Sequence, residues 1–97
     1  MKVRKSQEIV ASLLKKGFEL NPKKEHHEFY YLVINGKKHN IYTYMSHGNK
    51  ELNKSILSMI KKQLKFDTTE NFDNFIDCPF TKENYLMMLN ETGYLPK

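Results

Sequence analysis

The chain has 97 residues, 39% hydrophobic and 28% charged, with a formal net charge of +5. This is one domain with the composition of a soluble globule, too short for an enzyme whose site lies between two lobes. No apolar run approaches the ~20 residues of a membrane span and no signal-peptide pattern is present, so a cytoplasmic chain without membrane contact is expected.

A single cysteine, Cys78, excludes an internal disulfide framework and a Cys-rich zinc site, and reads as a small buried hydrophobe. Residues 1–65 carry 14 Lys or Arg against 5 Asp or Glu, a balance of +9, while residues 66–97 carry 2 against 6, a balance of −4. The basic first two thirds would attract RNA, DNA or an acidic protein; solvated lysines serving solubility are the plainer alternative.

The first element is a helix over about Ser6 to Lys16. Ser6 can cap its first turn, Ile9, Val10, Leu13 and Leu14 form an apolar stripe, and Gly17 stands at the C′ position. Phe18 to Leu20 reads as a short strand, stopped by Asn21-Pro22. His27 to Ile34 is β-branched, aromatic and leucine-rich, and Asn35-Gly36 is the hairpin signal that returns the chain along a strand from about Lys38 to Tyr44. After Ser46-His47-Gly48-Asn49 a second helix is expected to start at Asn49-Lys50 and run to about Lys65, burying Leu52, Ile56, Leu57, Met59, Ile60 and Leu64.

The tail repeats one pattern, T-x-E-N-aromatic-x-x-[FM]-[IL], in Thr68 to Ile76 and Thr81 to Leu89, thirteen residues apart. Each copy reads as a short capped helix; Pro79 separates them and Gly93 ends the second. Thirteen residues is well below a solenoid period, so the tail is a helical hairpin that packs on the preceding domain. The expected organisation is residues 1–66 as one domain and 67–97 as the added pair.

A two-residue turn pairs Ile34 with Lys37, and cross-strand partners then sum to 71. One face holds Tyr30, Leu32, Ile34 and Ile41, with Thr43 and Glu28 at its end, and is the natural core face. The other holds His27, Phe29, Tyr31 and Val33 beside Lys38, Asn40, Tyr42 and Tyr44. It is aromatic and bordered by lysines, suited to stacking bases or docking a partner, unless the tail covers it as a second core. His26 points the other way.

The order helix, three strands, helix resembles the HicA family of small toxins over Lys5 to Leu64, about two thirds of the chain. The likeness rests on Leu14-Lys15-Lys16-Gly17-Phe18, the histidine at the mouth of the second strand, Asn35-Gly36, and above all Ile41-Tyr42-Thr43-Tyr44-Met45-Ser46-His47-Gly48-Asn49-Lys50-Glu51-Leu52. The resemblance implies an α+β, two-layer αβββα sandwich like the double-stranded-RNA-binding domain, here with a C-terminal helical pair. It also implies cleavage of mRNA by a catalytic histidine, held in check by a HicB-type antitoxin. Family members show Gly-Ser-His before the alternating strand; this chain has Glu25-His26-His27. Aligning Phe29-Tyr30 with the family's hydrophobic pair assigns catalysis to His27, and a shift of one residue assigns it to His26.

RNA cleavage by attack of the 2′-hydroxyl on the adjacent phosphate needs a base, an acid and cationic help, and no metal or other cofactor. Imidazole, with a reference pKa of ~6.5, serves as base or acid near neutrality. The side chains available to RNA are Lys23, Lys24, Lys38, Tyr42, Tyr44, His47, Lys50 and Lys54, with the expected helix start at Asn49-Lys50 as a phosphate site. His47 reads first as part of a turn and cap. The spacing of His26, His27, His39 and His47 matches no familiar zinc pattern. A catalytically inactive RNA-binding module and a protein-interaction domain using the aromatic face are the alternatives to the enzyme.

Overall fold

The computed structural model describes residues 3–21, 27–46, 50–77 and 79–95. Its elements are β1 (Arg4–Lys5), α1 (Ser6–Lys15), β2 (Phe18–Asn21), β3 (His27–Ile34), β4 (Lys37–Ser46), β5 (Glu51–Leu52), α2 (Lys54–Gln63), α3 (Thr69–Asp77) and α4 (Lys82–Glu91). Over the described residues the fold is α+β: an antiparallel sheet in the order β2-β3-β4, a small β1-β5 ribbon, and four helices.

Local chemistry explains most element ends. Asn35 and Gly36 take φ of 51° and 79°, two successive left-handed residues as a type I′ turn requires, and the turn joins β3 to β4. Gly17, at φ 96°, lets the chain leave α1 without the penalty a Cβ would carry there. The tail helices carry the expected threonine caps. Thr68 Oγ1 accepts the amide of Asn71 at 3.1 Å, and Thr81 Oγ1 accepts that of Asn84 at 3.1 Å.

Three details depart from expectation. The second helix starts at Lys54, not Asn49-Lys50, because Glu51 and Leu52 pair with Lys5 and Arg4 and Asn53 then caps the helix through Ile56 N at 3.0 Å. Ser6 does not cap α1. Lys5 holds the N-cap position, and the buried Ser6 hydroxyl accepts the amide of Lys50 at 2.9 Å, tying the start of α1 to the approach to β5. The hairpin register also shifts: partners sum to 71 at Ile34↔Lys37 and Val33↔Lys38, then to 73 from Tyr31↔Tyr42 to His27↔Ser46. Because the shift is two residues, side-chain direction is preserved; a shift of one would have turned every later residue to the other face.

The inner face of the sheet buries Tyr30, Leu32, Ile41, Thr43 and Met45 against Ile9 and Leu13 of α1 and Leu57 and Ile60 of α2. Burying each such aliphatic or aromatic side chain stabilises by roughly 1.5–3 kcal/mol. Thr43 can sit in this layer because its hydroxyl donates to Gln63 Oε1 at 2.6 Å. Phe72, Phe75, Ile76, Tyr85 and Leu89 of the tail belong to the same core.

The way α1 meets the tail explains its rotation. Leu14 and α2's Ile56, both expected inside, are exposed, while Ser12 and Lys16 are buried. Ser12 Oγ donates to Ile76 O at 2.7 Å, and Lys16 Nζ donates to Phe75 O and Phe80 O, each at 2.7 Å. Helix ends leave their last carbonyls unpaired, and a cation there is favoured by the helix dipole. The polar side of α1 thus completes the end of α3. A second tie is ionic: buried Arg4 donates to both carboxylate oxygens of Asp77, at 2.7 and 3.1 Å, and to Asp73 at 3.2 Å. The hydrogen bond to Asp77 is the main influence raising the Arg4 pKa, against the opposing effect of burial.

Candidate functional site

On the outer face, strand alternation directs His27, Phe29, Tyr31 and Val33 of β3 and Lys38, Asn40, Tyr42 and Tyr44 of β4 away from the core. The rings form a continuous ribbon. His27 meets Tyr44 edge-on at 5.3 Å between centroids, Tyr44 stacks on Phe29 at 5.0 Å, Phe29 lies 5.9 Å from Tyr42, and Tyr42 stacks on Tyr31 at 5.0 Å. Lys38 Nζ closes the far end, 4.4 Å from the Tyr31 ring centre. From His27 to Val33 the strand advances about 20 Å, at ~3.3 Å per residue.

Among the described residues no helix covers the ribbon: His27 and Tyr42 are exposed, and Phe29, Tyr31 and Tyr44 are half-buried. The tail docks on the inner side through α1 and the end of α2, where Tyr85 Oη donates to Leu64 O at 2.8 Å. The alternative in which the tail roofs the outer rings is therefore not the arrangement adopted.

At the His27 end the face opens into a cavity of about 280 Å³ between the sheet and α2. Tyr44, Met45, Leu52, Ile56 and Met59 supply its apolar wall, with His27, Lys50, Glu51 and Ser6 around them. Tyr44 Oη points across the gap toward Met59 Sδ, 3.8 Å away. Lys50 is held at the cavity by two hydrogen bonds to Ser6, its amide to the hydroxyl at 2.9 Å and its carbonyl accepting the Ser6 amide at 2.8 Å.

Of the residues expected to act, His27, Tyr44 and Lys50 converge on this cavity, Tyr42 lies in the middle of the ribbon, and Lys38 stands at its other end. Lys54 is the exposed first residue of α2, outside the cavity wall. The helix-start phosphate site expected at Asn49-Lys50 does not form at Lys50, which precedes β5. His26, Lys23, Lys24 and His47 lie outside the described residues, as does Cys78. Sequence reasoning missed Glu51 as a wall residue and took Ile56 and Met59 for buried stripe. No local signal announced this: residues 51–52 pair with residues 4–5, far back in the chain, which delays the helix to Lys54.

Among the described residues no group of three or more His, Cys, Asp or Glu is arranged to hold a metal ion, and no helix is long and apolar enough to cross a membrane. Comparison with family models, curated proteins and solved structures finds no match to this chain.

Proposed function

We propose that the chain is a HicA-like endoribonuclease, binding single-stranded RNA across the outer sheet face, cutting it with His27 and neutralised by a HicB-type antitoxin. The observation that carries this reading is the position of His27: exposed, at one end of an open aromatic ribbon, on the same cavity as Lys50. Exposed rings on a sheet can stack unpaired bases, and the flanking lysines attract the phosphates. The free imidazole takes the proton of a 2′-hydroxyl as its oxygen attacks the adjacent phosphorus. The P–O5′ bond breaks, the leaving oxygen gains a proton from imidazolium or water, and a 2′,3′-cyclic phosphate remains. Lys50 offsets charge that builds on the phosphate oxygens. The same half-exposed rings offer an antitoxin a surface to cover.

A second reading, an RNA-binding module without cleavage, is favoured by Glu25-His26 standing where the family has Gly-Ser. His27→Ala separates the two. The outcome expected is a fall in RNA cleavage of ~10² to 10⁴, larger than any loss of RNA binding, with the melting temperature nearly unchanged, whereas His26→Ala costs far less. Cleavage by wild type and His27→Ala at equal rates, or by neither, leaves the binding module as the better account.

A further inference from the structure

We propose that the cavity beside His27 seats one guanine base, read by the carboxylate of Glu51. The inference rests on the reading that RNA lies across this face, and it deepens that reading by naming the nucleotide.

Size comes first. At about 280 Å³ the cavity falls just below the ~300–1,000 Å³ of ordinary small-molecule sites, room for one planar ring system but not a larger ligand. Its walls suit such a ring: Tyr44 is aromatic, Met59 brings a polarizable thioether and Ile56 an aliphatic edge. Unpaired RNA bases splay out and are held in this way, by stacking on their faces and hydrogen bonds to their edges.

The polar groups make the choice of base. Glu51 is exposed on the short ribbon strand, and among the described residues no hydrogen bond or ion pair engages its carboxylate. A carboxylate only accepts hydrogen bonds, through two oxygens side by side. Guanine presents two parallel donors on one edge, N1–H and the N2 amino group. Adenine and cytosine each set a ring-nitrogen acceptor beside their amino group, and uracil flanks its single N–H with two carbonyls. Only guanine satisfies both oxygens without facing one of them with a lone pair. Lys50, on the same cavity, and Lys54, at the start of α2, supply the positive charge that lets a phosphate backbone approach a site containing a carboxylate.

The test uses the full chain and 2′-O-methyl oligouridines, which cannot be cleaved, carrying one central guanine, inosine, adenine, cytosine or uridine, with affinity read by fluorescence polarization. A bidentate pair discriminates by roughly 5- to 150-fold, so the guanine strand binds tighter than the adenine, cytosine and uridine strands by a factor in that range. Inosine, which keeps N1–H but lacks the amino group, falls between. In Glu51→Gln the ratio of guanine to uridine affinity drops toward one; Glu51→Ala serves as a second variant should the first not fold. Equal affinity of wild type for all five strands overturns the guanine site while leaving RNA binding at this face intact. Binding to none overturns both, and a guanine preference that survives in the Glu51 variants removes Glu51 as the reader.

Discussion

Two aromatic clusters lie on opposite sides of the sheet, and they differ in almost every respect. The inner one is centred on Phe66, whose ring lies 5.2 to 5.9 Å from those of Phe72, Phe75, Phe80 and Tyr85. Its one phenol, Tyr85, spends its hydroxyl on the carbonyl of Leu64. The outer cluster, His27, Phe29, Tyr31, Tyr42 and Tyr44, has sheet on one side only, and mixed polar and apolar rings. Phenylalanine is chosen where packing elements close in from several directions, and tyrosine or histidine where a ring can rest on its neighbours with its polar atoms in water. The first cluster holds the chain together, and the second is available for contact.

The sharpest way to break this contrast is to truncate one ring in each cluster. Phe66→Ala leaves a cavity among four rings and is expected to destabilise by ~3–5 kcal/mol, read from urea unfolding. Tyr42→Ala, on an exposed residue, should alter stability by only about 0.5 kcal/mol. If the two variants lost equal stability, the outer ribbon would have to be counted as core.

Tyr42→Ala then carries the converse expectation for binding. If single-stranded RNA stacks on this face as proposed, loss of one ring costs ~1–3 kcal/mol in affinity, measured by titration at fixed salt. Unchanged affinity would move the contact off this face.

The smallest effect concerns the inner phenol. Burial raises the pKa of Tyr85 well above its ordinary value, so the folded state keeps the proton that the unfolded chain releases near pH ~10. The stability contributed by neutral Tyr85 is fully present below that pH and declines as pH rises beyond it, by up to ~1.4 kcal/mol per pH unit. Tyr85→Phe loses the hydroxyl's bond to Leu64, costing about 1–2 kcal/mol at neutral pH, yet should show a shallower alkaline decline. Parallel pH–stability curves for variant and wild type would contradict the burial effect.

Much of both regions was legible in the sequence. The Asn35-Gly36 turn, the strand from His27 to Ile34, the glycine that ends α1 and the threonine-capped tail helices all follow from interactions within a few residues, and such signals survive whatever the rest of the chain does. Strand alternation likewise assigned His27, Phe29, Tyr31, Tyr42 and Tyr44 to one face, and a register shift of two residues left that assignment intact.

Tertiary structure decided what local signals leave open. The second helix starts at Lys54 because residues 51–52 pair with residues 4–5 far back in the chain, which no periodicity within the helix announces. Arg4 is buried because Asp77 meets it across 73 positions, and Ser12 and Lys16 turn inward because the end of α3 presents carbonyls to them. Whether the outer rings form a second core or a free surface depended on which side the tail docked. Hydrophobic periodicity tells which residues of a segment share a face, but burial depends on what packs against that face, and that is settled by contacts between segments distant in sequence.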